Sequence, residues 1–484
     1  MIRQINRVTA VLIALMLALI ANLTYIQFFE SGNLRSQPGN QRILLTEYSR
    51  QRGPILLASA SIAESIPTDD ALKYLRTYQD GSTYAAITGF YSLIYGATGV
   101  ESKENDVLAG NDSRFFVDRL QQLFANRQPQ GGAVRLTINA EAQKSAMRAL
   151  AGRTGAVVAI DPRTGAILTL ASSPSFDPNK LSSHDAASIQ RTYTALNLDP
   201  RQPLLNRALA MTLPPGSTFK LVTAAAALES GKFNSASILP GPATIALPQT
   251  SHRLGNWTNR ACGAGDKTTL DNALSISCNT AFAWLGMQVG SSSLQQQAEK
   301  FGFGTSFNVP MISATSKFPT QLDEAQLAMS AIGQFDVQAS PLQMAVVAAG
   351  IANKGVVMKP YIVSQILGPN LKVLESTTPT QFSRAMSEKN ANALKDMMVH
   401  VVARGTGSNA RINGVAVGGK TGTAETKPGS PAHAWFVALA PAENPTVAVA
   451  VVLENGGGAR EISGNGLAAP IAKAVIQAVL KSSQ

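Results

Sequence analysis

The 484-residue chain predicts an α/β fold of the α+β kind: an antiparallel sheet with a helical subdomain, preceded by a transmembrane helix and a small pedestal domain. Three observations predict it. Apolar strand patterns at residues 156–160 and 166–171 return at 417–424, 434–439 and 446–453, on either side of a long Ala- and Leu-rich helical middle. An uncharged apolar run fills residues 8–29, and residues 30–150 mix turns with short apolar runs.

The elements follow in chain order. Arg3 and Arg7 precede the apolar run, which as a helix rising about 1.5 Å per residue spans roughly 33 Å, enough to cross a bilayer. Positive residues on its N-terminal side place residues 1–7 in the cytoplasm and the rest outside the cell. No small-x-small cleavage pattern precedes Asn22, and the run continues through Phe29, so an uncleaved anchor at 8–29 is expected. In the pedestal, 30–150, Gln51-Arg52-Gly53-Pro54 reads as a turn into an extended run at 55–57, with a strand at 135–138 and a helix at 140–150. No catalytic constellation is legible there. The remaining unit, 151–484, opens with a hairpin whose turn is Asp161-Pro162-Arg163-Thr164-Gly165 and closes with an amphipathic helix at 468–480. Strands from its two ends are expected to pair in one sheet.

Composition narrows the function. Hydrophobic residues at 45 % and charged residues at 15 % suit a folded chain with a sizeable core. The net charge of +11 raises nucleic-acid binding, but the basic residues are scattered, with no Lys/Arg run and no interleaved aromatics, which argues against it. A place near anionic surfaces outside the cell fits the charge, as does composition drift without a partner. The 4 histidines (His184, His252, His400, His433) lack metal-ligand spacing, and no metal or cofactor is expected. Both cysteines, Cys262 and Cys278, fall in the exported unit, where either a disulfide or two buried thiols are open.

Three short motifs carry chemistry. Pro214-Pro215-Gly216-Ser217-Thr218-Phe219-Lys220 forbids helix before Ser217 and favours it afterwards, so Ser217 opens a helix whose free N–H groups favour negative charge. Lys220 shares its face, with its amine in reach of the Ser217 hydroxyl. To act as a base that amine must be neutral, which requires burial or neighbouring cations. Alone, Ser-x-x-Lys is weak, because chance supplies about one in a chain of this length. Ser277-Cys278-Asn279 ends an apolar helical segment and by itself is an ordinary turn between helices. Gly419-Lys420-Thr421-Gly422-Thr423 lies in a strand pattern. Small residues on an edge strand let a substrate backbone lie alongside, and Lys420 with two threonine hydroxyls can hold a carboxylate. A glycine-rich bulge with a solvated lysine is the bland alternative.

Together and in this order, the three resemble the signature of penicillin-binding proteins and class A β-lactamases, with Cys278 where that signature has Asp. Residues 155–165, Asn206-Arg207-Ala208, Ser340-Pro341-Leu342-Gln343-Met344 and His433-Ala434-Trp435-Phe436 also resemble the penicillin-binding transpeptidases. Arg52-Gly53, Thr88-Gly89-Phe90-Tyr91 and Gly99-Val100-Glu101 look like the dimerisation-type pedestal of class B members. The resemblance covers nearly the whole chain and is strongest to the actinobacterial branch.

That resemblance implies a serine β-lactamase/transpeptidase-like domain and a peptidoglycan D,D-transpeptidase serving division or growth. Ser217 would form an acyl-enzyme with a stem peptide or a β-lactam, Lys220 would take its proton, and Ser277 and Lys420 would relay a proton to the leaving amine. The N–H groups of Ser217 and Thr423 would hold the oxyanion. Asn279, Thr421, Gly422 and Thr423 would bind the substrate amide and carboxylate. Because residues 30–150 are too few for a glycosyltransferase, the implied partner is a multispanning polymerase of the FtsW/RodA type. Three rivals remain: a serine β-lactamase, which lacks Glu-x-Glu-Leu-Asn here and has only Glu388 with Asn392; a D,D-carboxypeptidase or endopeptidase; and a non-catalytic penicillin sensor.

Overall fold

The structure, a computed structural model, describes residues 2–28, 30, 48–116, 124, 130–424, 430–458 and 463–482. Met1 of the expected tail, Phe29 of the expected anchor and residues 31–47 of the expected pedestal lie outside the described residues. The first helix runs Ile2–Phe28, and its Gln4–Phe28 portion is long and apolar enough to cross a membrane. The Thr9 and Thr24 hydroxyls donate back to the carbonyls of Ile5 and Ile20, which leaves no polar proton for lipid to solvate at those positions. The helix fits a single-pass anchor.

The pedestal is built on a 6-stranded sheet ordered Val373–Ser376, Val363–Leu367, Ala133–Leu136, Ile55–Leu57, Ala60–Pro67, Tyr74–Tyr78. The strand expected at 135–138 begins two residues earlier, where Val134 and Leu136 pair with Ile55 and Leu57 in parallel. Glu101 sits at the centre of this unit, fully buried. It accepts from Arg52 Nε at 2.6 Å, Arg76 Nε at 2.6 Å and the Tyr78 hydroxyl at 3.1 Å. Arg52 and Arg76 spend further donors on Asn105 Oδ1 and the Gly53 carbonyl, at 2.8 and 2.9 Å.

Packing crosses the division expected at residue 150 in both directions. The strands Val363–Leu367 and Val373–Ser376 extend the pedestal sheet, although they come from the C-terminal unit. Helix Ala140–Leu150, capped by the Asn139 side chain, turns Ala142, Ala146 and Leu150 toward the closing helix Ala469–Ser482. The reason is periodicity: those residues form one apolar stripe at i, i+4, i+8, which needs an apolar partner wherever the chain supplies one.

The C-terminal unit holds a 5-stranded antiparallel sheet ordered Gly418–Ala424, His433–Ala440, Val447–Leu453, Gly155–Ile160, Ile167–Ser173. Strands from the two ends do pair, Val157 opposite Val451 and Val158 opposite Ala450. Alternate residues serve two cores. Val157, Ala159, Val449 and Val451 face the helices Ala140–Leu150 and Ala469–Ser482. Val158, Ile160, Ala450 and Val452 face the central helices, among them Pro341–Ala352, which is buried along its whole length. Strand Gly418–Ala424 is left on one edge, beside the turn that carries Ser217.

Candidate active site

Ser217 lies in a single 3₁₀ turn, Gly216–Phe219, which feeds the α-helix Lys220–Glu229. The helix expected to open at Ser217 therefore starts at Lys220. Gly216 takes φ +52° and donates its N–H to the Gly333 carbonyl at 2.9 Å, so the chain enters the turn from a left-handed residue. In 3₁₀ geometry residues i and i+3 eclipse, which keeps Ser217 and Lys220 on one side.

Lys220 is fully buried. Its amine bonds to the Ser277 carbonyl at 2.8 Å and Asn279 Oδ1 at 2.7 Å, with Ser277 Oγ at 3.3 Å. Among the described residues these are its hydrogen bonds, and none of them is to the Ser217 hydroxyl. Ser277 stands between the short helices Leu270–Ser275 and Asn279–Val289, at φ +61°. A serine held in that region costs about 1–2 kcal/mol, which its surroundings must over-determine. They do so through Cys278 N–H on the Ala273 carbonyl at 2.8 Å, the Cys262–Cys278 disulfide across 16 positions, and Asn256. Asn256 Oδ1 accepts the N–H groups of Asn279 and Thr280 at 2.9 and 3.1 Å.

Lys420 reaches the same turn from the edge strand and is also fully buried. Its amine donates to Ser277 Oγ at 2.8 Å and to the Thr421 carbonyl at 2.9 Å. Strand alternation puts Thr421 and Thr423 together on the opposite face from Lys420. Gly422 packs against the nucleophile's turn, where a Cβ would meet the Pro215 carbonyl oxygen at 2.9 Å. Ser217, Ser277, Asn279, Thr421, Gly422 and Thr423 line one cleft of about 700 Å³.

No ion pair joins either lysine to a carboxylate among the described residues. Burial, then the positive charge of Lys420, holds the Lys220 amine well below the usual lysine range. Burial alone brings Lys420 down to about 7. The two amines flank the Ser277 hydroxyl, forming a continuous chain Lys420–Ser277–Lys220.

Sequence reading missed Asn256 and Thr406. Asn256 sits in an irregular loop, where no spacing marks a cap for a helix more than twenty residues on. Thr406 lines the cleft, and its setting between two glycines was the available signal of a tight turn. Glu388 is exposed at the start of helix Glu388–Ala403, paired with Lys354 at 2.9 Å, and does not line the cleft. His184 and His400 pair with Asp70 and Asp271, and His433 Nδ1 accepts the Asn455 N–H at 3.1 Å.

Residues 155–477 match the penicillin-binding protein transpeptidase domain, and residues 52–134 match the penicillin-binding protein A dimerisation domain. The chain is 44 % identical to the peptidoglycan D,D-transpeptidase PbpA of Mycolicibacterium smegmatis, covering 99 % of each. It is 42 % identical to the protein of the same name from Mycobacterium tuberculosis, again over 99 % of each. The solved structure of penicillin-binding protein A from M. tuberculosis as a ceftriaxone acyl-enzyme complex superposes with a TM-score of 0.88 at 42 % identity, covering 90 % of this chain and 100 % of that one.

Proposed function

The chain belongs to the penicillin-binding protein transpeptidase family, and on that premise we propose that it is a membrane-anchored peptidoglycan D,D-transpeptidase whose nucleophile is Ser217. The observation that carries the residue assignments is the chain Lys420–Ser277–Lys220, two buried amines around one hydroxyl that lines the same cleft as Ser217. A neutral Lys220 amine spends its two protons on the Ser277 carbonyl and Asn279 Oδ1, which leaves its lone pair for a third partner.

Ser217 Oγ attacks the carbonyl between two D-alanines and its proton passes to that lone pair. The N–H groups of Ser217 and Thr423 hold the oxyanion, each such donor being typically worth about 10²–10³ in rate. As the C–N bond breaks, Ser277 hands a proton to the leaving amine and is resupplied by the lysines on either side. The terminal carboxylate lies against Thr421 and Thr423 beside Gly422, and Asn279 Nδ2 is held by the Gly255 carbonyl at 3.1 Å, which orients the amide that meets the substrate backbone. An amine from a second stem then attacks the acyl-enzyme and closes the cross-link. A β-lactam follows the first half of this course and stops, as the ceftriaxone acyl-enzyme of the M. tuberculosis protein did.

In this reading residues 1–7 are cytoplasmic, 8–29 anchor the chain, 30–150 are the pedestal and 151–484 the transpeptidase unit. Arg3 and Arg7 support the orientation, as does a disulfide in the exported part. The glycan polymerase is a separate membrane protein of the FtsW/RodA type, contacting the anchor and pedestal. Converting Ser217 to alanine abolishes covalent labelling by a fluorescent penicillin, and labelling that survives the change refutes the nucleophile. With a thioester stem mimic and a D-amino acid, acceptor-dependent product marks a transpeptidase, water-only product a hydrolase and rapid loss of penicillin label a lactamase.

A further inference from the structure

The loop Gly405-Thr406-Gly407 wedges a hydroxyl between two of the elements that build the cleft. Thr406 N–H donates to the Ser275 carbonyl at 3.0 Å, two residues before Ser277, and Thr406 Oγ1 lies 2.8 Å from Thr421 Oγ1, next to Lys420. The approach is close enough that a Cβ at Gly405 would fall 2.2 Å from the Ser275 oxygen, so only glycine admits it. Gly407 N–H fixes the other side on the Val401 carbonyl at 2.9 Å. Thr406 therefore has little freedom to move, and it lines the cleft with Thr421.

Each threonine hydroxyl has one proton. With a carboxylate in the cleft, Thr421 can donate to it only by giving up any donation to Thr406. The 2.8 Å contact then runs in one direction, from Thr406 to Thr421. The alternative recipient of the Thr406 proton, the Ser275 carbonyl, is 3.4 Å away and already takes the Thr406 N–H. Building on the proposed carboxylate-binding role of Thr421, we propose that Thr406 is a positioning residue that donates to Thr421 Oγ1 and so commits the Thr421 proton to the carboxylate of the donor stem or β-lactam. Chained hydroxyls polarise one another, so removing the first weakens the second as a donor as well as releasing its rotamer.

The test measures acylation of the full-length protein in detergent by a penicillin, for Thr406→Val, Thr406→Ser, Thr421→Val and the double valine variant. Thr406→Val is expected to acylate about tenfold more slowly, Thr406→Ser within about threefold of the parent, and the double variant no more slowly than Thr421→Val alone, since coupled residues lose one shared interaction. Parental rates in Thr406→Val, equal losses in the serine and valine variants, or losses that multiply in the double variant overturn the proposal and leave the carboxylate site standing. Parental rates in Thr421→Val remove that site and the proposal with it. Melting temperatures accompany each rate, and Thr406→Ala replaces Thr406→Val if the larger apolar side chain prevents folding.

Discussion

Glu101 in the pedestal and Lys220 in the cleft are equally hidden from water, and both sit within a cluster of charged side chains. Around Glu101 the neighbours are Arg52 and Arg76, each 2.6 Å from one carboxylate oxygen. Around Lys220 the charged neighbour is Lys420, of the same sign. Burial pushes the Glu101 carboxyl up, but Arg76 and Arg52 more than offset it and hold it below the usual carboxylate range. In the cleft no carboxylate offsets burial among the described residues, and both amines are driven toward the neutral form. Taking an ion out of water costs several kcal/mol even after relaxation. The pedestal keeps its charges by pairing them, whereas the cleft sheds charge by releasing protons. The first arrangement holds backbone segments together, and the second yields an amine that can accept a proton from serine.

Three substitutions can break this contrast. The largest effect is expected for Lys220→Met, which keeps the volume and removes the base. Penicillin acylation falls by about 10²–10⁴, the usual share of a positioned general base. Its melting temperature falls modestly, because the Ser277 carbonyl and Asn279 Oδ1 lose their donor, so the rate is read on the folded fraction. Acylation at the parental rate would show that Lys220 is structural.

Next is Glu101→Gln, which strands two buried guanidinium groups. Urea unfolding should show a loss of about 3–5 kcal/mol, the range for breaking one partner out of a buried pair. The folded fraction acylates at the parental rate. A loss under about 1 kcal/mol, no more than a surface ion pair is worth, would mean the triad does not hold the pedestal.

The smallest effect is the pH dependence of Lys420→Met. The folded pKa of Lys420, about 7, lies below the unfolded value of a lysine. Between those values the unfolded chain binds the extra proton, so the stability of the parent rises with pH across that window. The penalty for burying Lys420 is complete below about 7 and disappears above the unfolded pKa. The variant should therefore melt a few degrees higher relative to the parent at pH 6 than at pH 10. An equal difference at both pH values would show that Lys420 keeps its proton throughout.

The hairpin opening at Gly155, the closing amphipathic helix and the edge strand with Lys420 were legible because each is a local pattern: period 2, period 3.6, or glycines next to polar side chains. Ser217 was legible for the same reason, since two prolines and a glycine limit where a helix can start. The start itself was misplaced, because the 3₁₀ turn depends on Gly216 bonding to Gly333, far along the chain. Asn256 and Thr406 carried little signal, because each acts through a bond to a residue from another segment. The boundary at residue 150 was a change of texture, and texture does not reveal that strand 133–136 takes Val363–Leu367 as its neighbour.

Residue order by itself determined the anchor, the strand periodicity, the family and the three motifs, because backbone sterics and apolar spacing act over a few residues. Tertiary structure decided which charges meet. Whether a buried charge lies beside an opposite one, as Glu101 does beside Arg52 and Arg76, or beside a like one, as Lys220 does beside Lys420, depends on residues from separate segments of the chain, and that juxtaposition sets the proton affinity on which the chemistry rests.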